Sequence, residues 1–193
     1  MASFEDLGVR RVVTGVDGRG LGTFVSDGGP PSSIVLVDGT AVVDLWQTGA
    51  AVRSSFDGGD PTGEPAAFPP RGGIAWKIGI LPPRGSTMGT ADPAQHSPPA
   101  SSPRMVERVD DDEERPIVES DPERPGRHRT DTLDFVLVVS GEVYLILEEE
   151  LSVREVHLRA GDCVVQRGVW HRWENRGDTP CTLSTVMMVA SSA

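Results

Sequence analysis

The sequence predicts an all-β sandwich or barrel, and three observations carry that expectation. Short apolar runs recur at regular spacing, most clearly between Leu133 and Val189. Turn-forming residues separate them: the 193 residues include 22 Gly and 16 Pro. No stretch shows the periodicity of a long helix, so many short strands joined by tight turns account best for the pattern. The length suits one domain with a real core, or one domain plus appendages.

Taken in order, Val9–Thr14 reads as a first strand, Gly15–Gly22 as a turn-rich connection and Thr23–Ser26 as the returning strand. The run Asp27-Gly28-Gly29-Pro30-Pro31 must be irregular. Ile34–Val37 and Ala41–Trp46 flank Asp38-Gly39, a hairpin signal. Thr48–Gly73 reads as a surface loop, and Ile74–Leu81 as a strand stopped by Pro82-Pro83. Residues 84–127 hold seven prolines and the acidic cluster Asp110, Asp111, Asp112, Glu113 and Glu114. They are expected to form a mobile insert or a lid over the barrel mouth, with room for a short helix near Met105–Arg115. Further strands are expected at Leu133–Val139, Val143–Leu147, Val153–Leu158, Cys163–Gln166, His171–Glu174 and Thr182–Val189. Glu148, Glu149 and Glu150 read as a solvated hairpin tip. The organisation expected is therefore N-terminal strands over 1–83, an insert over 84–127 and a barrel core over 128–193.

Charge excludes some partners. Eighteen basic against 29 acidic residues leave a net charge of −11, which lacks the basic footprint of nucleic-acid binding and disfavours anionic lipid. The opening MASFEDLGVRR has no apolar leader core, and no apolar run approaches the ~20 residues of a membrane helix. The expectation is a soluble, cytoplasmic protein. Cys163 and Cys181 lack metal-type spacing and are expected to be small buried hydrophobes.

Chemistry concentrates between His128 and Asn175. Residues of like parity on a strand share a face. His128, Thr130, Thr132 and Asp134 can therefore line one wall, while His171 shares its face with Trp173. If the barrel closes with both faces inward, His128, Asp134 and His171 converge. Two imidazoles and a carboxylate can hold a divalent transition metal on one side and leave positions open for water or substrate.

These residues resemble the motifs of the cupin superfamily. His128-x-Thr130-x3-Asp134-x6-Gly141 has the spacing of the first cupin motif, G-x5-H-x-H-x3-4-E-x6-G, with Pro122 in place of its opening glycine. Gly161-x6-Gly168-x2-His171-x3-Asn175 resembles the second, G-x5-P-x-G-x2-H-x3-N, one residue short and with Gln166 where proline often lies. The resemblance covers about the last 65 residues and implies a small jelly-roll barrel, flanked by N-terminal strands of the kind many cupins pair across a homodimer. It also implies a metal held by three histidines and a glutamate. Here Thr130 replaces the second histidine and Asp134 the glutamate, so His128, Asp134 and His171 remain as the metal set, and a metal-free cavity stays open as the alternative.

Among the other candidates, Trp173 could wall the cavity and stack on a flat substrate. Gln166 or Arg167, before the Gly168 turn, could hold a substrate carboxylate or carbonyl. Thr130 and Tyr144 could also face substrate, Tyr144 as a proton donor. Arg129 and Arg172 are expected in salt bridges, His157 on the surface, and His96 unliganded in the insert. With a metal, the expected function is an enzyme acting on a small enol, keto acid or aromatic compound. Fe(II) with dioxygen chemistry is the first choice; Zn, Mn or Ni with lyase, decarboxylase or isomerase chemistry is the alternative. Asp134 must then be ionised, so activity should fall below about pH 6. Without a metal, His171 and Asp134 would form the acid–base pair of a cyclase, dehydratase or epimerase-like enzyme. A non-catalytic small-ligand-binding barrel is the third reading.

Overall fold

The computed structural model describes residues 8–36, 39–49, 68–69, 71–85, 118–149 and 152–189. All regular elements among them are strands: β1 (Arg11–Val16), β2 (Gly22–Gly28), β3 (Ser32–Val35), β4 (Ala41–Gln47), β5 (Ile74–Leu81), β6 (Val118–Ser120), β7 (His128–Thr130), β8 (Thr132–Ser140), β9 (Glu142–Glu149), β10 (Ser152–Arg159), β11 (Cys163–Arg167), β12 (Arg172–Glu174) and β13 (Cys181–Val189). No helix among the described residues is long and apolar enough to cross a membrane.

Strand β8 shows how the sequence builds the barrel wall. Its even residues Thr132, Asp134, Val136 and Val138 are buried, while Leu133, Phe135, Leu137 and Val139 are exposed, the two-residue period of a half-buried strand. It pairs antiparallel with β11 on one side and β13 on the other, inside a six-stranded sheet ordered β11-β8-β13-β5-β4-β3. A three-stranded sheet, β10-β9-β12, supplies further core residues. The core unites Val136, Val138 and Leu183 of the larger sheet with Val143, Leu145 and Leu158 of the smaller, with Cys181 at the end of β13. Each such aliphatic side chain contributes about 1.5–3 kcal/mol by leaving water. The hairpins β1–β2 and β6–β7 complete the fold.

The turn from β8 to β9 depends on Gly141. Its φ is +73°, and a Cβ there would stand 2.6 Å from the Pro180 carbonyl oxygen and 2.9 Å from the Cys181 Cα. Those are backbone atoms that cannot swing aside. Gly141→Ala is expected to destabilise the protein by roughly 2 kcal/mol or more, read as a lower urea midpoint at an unchanged slope.

The expected strands all appear, with shifted ends: the first begins at Arg11 rather than Val9 and the third covers Ser32–Val35 rather than Ile34–Val37. Two strands were not expected. Val118–Ser120 and His128–Thr130 are three residues each, too short to show a period, and Val118 anchors the first against Val189 and Phe68. The stretch expected to be insert up to Arg127 is thus ordered from Val118 onward, whereas residues 86–117, including His96, the acidic cluster and the short helix expected there, lie outside the described residues. Glu148 belongs to β9 and pairs with Arg172 at 3.0 Å rather than forming a solvated tip. Cys181 is fully buried as expected, but Cys163 is exposed, because β11 turns it to the outer face beside Leu137.

Candidate functional site

The two histidines are brought together by backbone pairing. His128 and His171 form an isolated antiparallel bridge in which each amide donates to the other's carbonyl, both at 2.9 Å. Residues paired in this way project their side chains to one face. The ring centroids lie 4.4 Å apart with the planes tilted by 55°.

Each ring is also held by its own backbone. His128 Nδ1 lies 3.0 Å from the Gly126 carbonyl oxygen, and His171 Nδ1 lies 2.9 Å from that of Val169. A carbonyl only accepts, so both Nδ1 atoms carry the proton, and both Nε2 atoms keep their lone pairs. Burial keeps the rings neutral. His128 is held below the usual histidine value, chiefly by desolvation. His171 is pushed down to about 4 by desolvation and by the neighbouring His128. Two neutral imidazoles with bare Nε2 atoms are the form that ligates a metal or accepts a proton.

Asp134 is buried on the inner face of β8, where its Oδ1 has no hydrogen-bond partner among the described residues. Desolvation raises its carboxyl to about 6, against an opposing hydrogen bond from Thr132. Its register partner on β11 is Gln166, also buried. The Gln166 Nε2 donates to the Arg167 carbonyl at 3.0 Å and lies 3.3 Å from His171 Nδ1. Gln166 is therefore both the cross-strand partner of Asp134 and a direct neighbour of His171. Among the described residues no group of three or more His, Cys, Asp and Glu side chains is placed to hold a metal ion. The donor chemistry of the imidazole pair fits a metal such as Fe, Mn, Ni or Zn, and the expected third ligand is not drawn into contact with it.

The loop bearing His171 is set by a close approach. A Cβ on Gly168 would lie 2.7 Å from the Thr130 carbonyl oxygen, so only glycine lets this loop close against β7.

The remaining candidates divide. Thr130 is buried and accepts a hydrogen bond from Thr132 at 2.7 Å. Trp173 packs on the core and meets His171 edge-on, with centroids 6.3 Å apart. Arg167 is a correction: β11 turns its side chain to the exposed outer face beside Leu133, and only its carbonyl serves the site. Tyr144 is another. It stacks on His157, its partner across the β9–β10 pair, with Arg176 4.2 Å from its centroid; this is a surface cluster in which His157 also meets Glu142. Arg129 and Arg172 form the expected ion pairs, with Glu119 and with Glu148 and Glu174.

Sequence reasoning missed a further layer behind the histidines. Arg127 and Arg129 flank Trp170, at 4.3 and 5.2 Å from the ring centre. A signal was present, since both residues adjoin a motif histidine, but nothing in the sequence joins Arg127 to Trp170. Also missed was a buried polar cluster, Lys77 and Ser32 both bonded to Asp44.

Comparison with known proteins gives partial matches. The chain is 42% identical over 60 residues to two proteins of Diaporthe leptostromiformis, phomopsin biosynthesis cluster proteins C′ and D. That match covers 29% of this chain and spans only 30% of each relative. Among solved structures, oxalate oxidase aligns with a TM-score of 0.41 and 16% identity, over 83% of this chain and 55% of that one. Oxalate decarboxylase from Bacillus subtilis, described with Mn(II) centres, aligns with a TM-score of 0.35 and 15% identity, over 62% of this chain and 22% of that one. The sequence profile of the cupin domain matches residues 117–189, which span both histidines, Asp134 and Gln166. The chain carries a cupin domain, matched over residues 117–189.

Proposed function

We propose that this chain is a metal-dependent cupin enzyme acting on a small oxygen-rich metabolite, an enol, keto acid or aromatic compound. The observation that carries the reading is the pinned imidazole pair: both Nδ1 atoms donate to carbonyls, so two neutral Nε2 donors remain, 4.4 Å apart between ring centres. His128 and His171 would hold the metal, which when bound would supply a Lewis acid for substrate oxygens. Fe(II) with oxidative chemistry stays the first choice, and lyase, decarboxylase or isomerase chemistry on Mn, Zn or Ni the alternative. The Diaporthe relatives are named for a phomopsin biosynthesis cluster, which supports a biosynthetic setting.

In this reading Asp134 is either the anionic third ligand or the group that takes and returns a substrate proton. Its carboxyl, at about 6, is poised for the second role near neutrality. Gln166 lies against the His171 ring and can hold a substrate carbonyl through the second hydrogen of its amide nitrogen. Trp173 closes the apolar side of the site.

The test is turnover after metal removal and reconstitution. Chelated protein is expected to be inactive towards a panel of enols, α-keto acids and catechols, and one of Fe, Mn, Ni or Zn is expected to restore activity. Oxygen uptake with iron would identify the oxidative branch. Turnover untouched by chelation would instead favour the metal-free reading, in which His171 and Asp134 act as acid and base. Its support is that, among the described residues, no third His, Cys, Asp or Glu joins the imidazole pair as a ligand group.

We also infer a homodimer. Phe135, Val165 and Trp76 are 46%, 61% and 44% exposed on the outer face of the larger sheet, and Phe24 and Val25 of the two-stranded β1–β2 hairpin are 73% and 60% exposed. A lone hairpin is marginal in water, so a second copy is its natural support. Sedimentation should give twice the chain mass, and Phe135→Glu should shift it towards the monomer.

A further inference from the structure

We propose that Arg127 is the residue that positions the imidazole pair. It holds the strand bearing His128 in register against the segment bearing His171; this rests on the pair being the functional centre. The need for such a device follows from the local architecture. Strands β6 and β7 are three residues each, and the bridge joins His128 to His171 by two hydrogen bonds. A hairpin that short does not hold its own position.

The Arg127 guanidinium joins three separate segments. Its Nε and Nη2 both donate to the Glu148 carbonyl at the end of β9, at 3.2 and 2.8 Å. Its Nη1 donates to Asp121 Oδ2, in the β6–β7 turn, at 2.7 Å. Its plane lies 4.3 Å from the centre of the Trp170 ring. Only 11% of the side chain is exposed, so these contacts are shielded from competing water.

Arg127 immediately precedes His128, and Trp170 immediately precedes His171. Successive residues on extended chain point to opposite faces, so the arginine–tryptophan stack lies behind the bridge while the two imidazoles lie in front. Moving the stack moves both rings. Arg127 also contributes to the turn whose Gly126 carbonyl pins His128 Nδ1: its amide donates to the Arg124 carbonyl at 3.0 Å, and its carbonyl accepts from the Asp121 amide at 2.9 Å. Lysine cannot substitute, because it lacks both the planar face that stacks on indole and the fork that reaches two acceptors at once. Arg129 touches the same ring from 5.2 Å, but 41% of its side chain is exposed and it is paired to Glu119, so it serves as the control.

The experiment reads the rings directly and needs no substrate or metal. In the chelated full-length protein, imidazole 15N shifts should report the Nδ1-protonated tautomer for both His128 and His171 at neutral pH. In Arg127→Lys, His128 should show a mixture of tautomers, and the His128 and His171 amides should exchange with solvent at least tenfold faster. Amides of β8 and β13 should keep their protection, showing that the barrel persists. Trp170→Leu, which removes the ring on which Arg127 stacks and no charge, should shift the same signals in the same direction, and Arg129→Lys, which keeps the charge beside that ring, should leave them alone. Wild-type tautomers and exchange in both Arg127→Lys and Trp170→Leu would overturn the proposal. A wild-type protein lacking the Nδ1-protonated form at either ring would instead count against the imidazole pair itself, so the two failures are distinguishable.

Discussion

His171→Ala is expected to remove the metal from the protein altogether. Wild-type chain purified without a histidine tag should carry close to one equivalent by elemental analysis, and the variant close to none. The reason lies in the bridge: His171 is 3% exposed, its Nδ1 is committed to the Val169 carbonyl, and its Nε2 is one of the two neutral donors. A single imidazole left in place cannot chelate, and the loss in affinity should exceed the roughly 10–100-fold typical of removing a mere supporting contact. His128→Ala should behave alike. Asp134→Asn then separates its two roles. Loss of metal would make Asp134 the third ligand, whereas retained metal with lost turnover would make it the proton-handling group. The pH dependence divides the same way. If Asp134 is a ligand, metal should leave as the pH falls through about 6, where its carboxyl protonates. If the imidazoles alone hold the metal, it should persist towards the value of about 4 to which His171 is pushed. No metal in the wild type after reconstitution would sink the metal-dependent reading.

The second large effect is a pair of opposite pH slopes concealed in the wild type. Asp134 is raised from 3.8 to about 6 by burial, so the folded state binds its proton more tightly than the unfolded chain does. Stability from this group is therefore highest below about pH 4 and is lost as the pH rises to 6, by roughly 3 kcal/mol. His171 is lowered from 6.5 to about 4, so the unfolded chain binds its proton more tightly. Stability from this group is absent below about pH 4 and grows by roughly 3 kcal/mol as the pH rises to 6.5. The two oppose each other over the shared window, and His128, also held below its ordinary value by desolvation, adds to the rising side. Urea titrations of chelated Asp134→Asn should show stability rising more steeply than in the wild type between pH 4 and 6.5, and His171→Gln should turn the slope downward relative to the wild type between pH 4 and 6. Both variants tracking the wild-type slope would mean that neither group is as desolvated as the barrel makes it.

How far the sequence could be read depended on the range of the interaction involved. The strand β8 was legible because alternation is local: Thr132, Asp134, Val136 and Val138 face inward by parity alone. The meeting of His128 and His171 was legible as a conditional, since parity set their faces and the motif spacing set their distance along the chain. Tyr144 and Arg167 were misassigned for one reason. Each sits on a strand with apolar residues of both parities, Val143, Leu145 and Ile146 around Tyr144 and Val164 and Val165 before Arg167, so alternation alone did not say which face turns inward. Tyr144 opposite His157 and Arg167 opposite Leu133 both face away from the core.

What the sequence by itself determined is the β class, the barrel wall and the identity of the two histidines, because side-chain alternation and turn chemistry act over a few residues. Only the tertiary structure decided that Gln166 pairs across from Asp134 and touches His171, that both imidazoles are pinned through Nδ1, and that Arg127 reaches Glu148, Asp121 and Trp170 together. Those contacts join residues that are close in space through strand pairing and far apart along the chain. Their energies also depend on burial, which single residues do not possess until the sheets have closed around them.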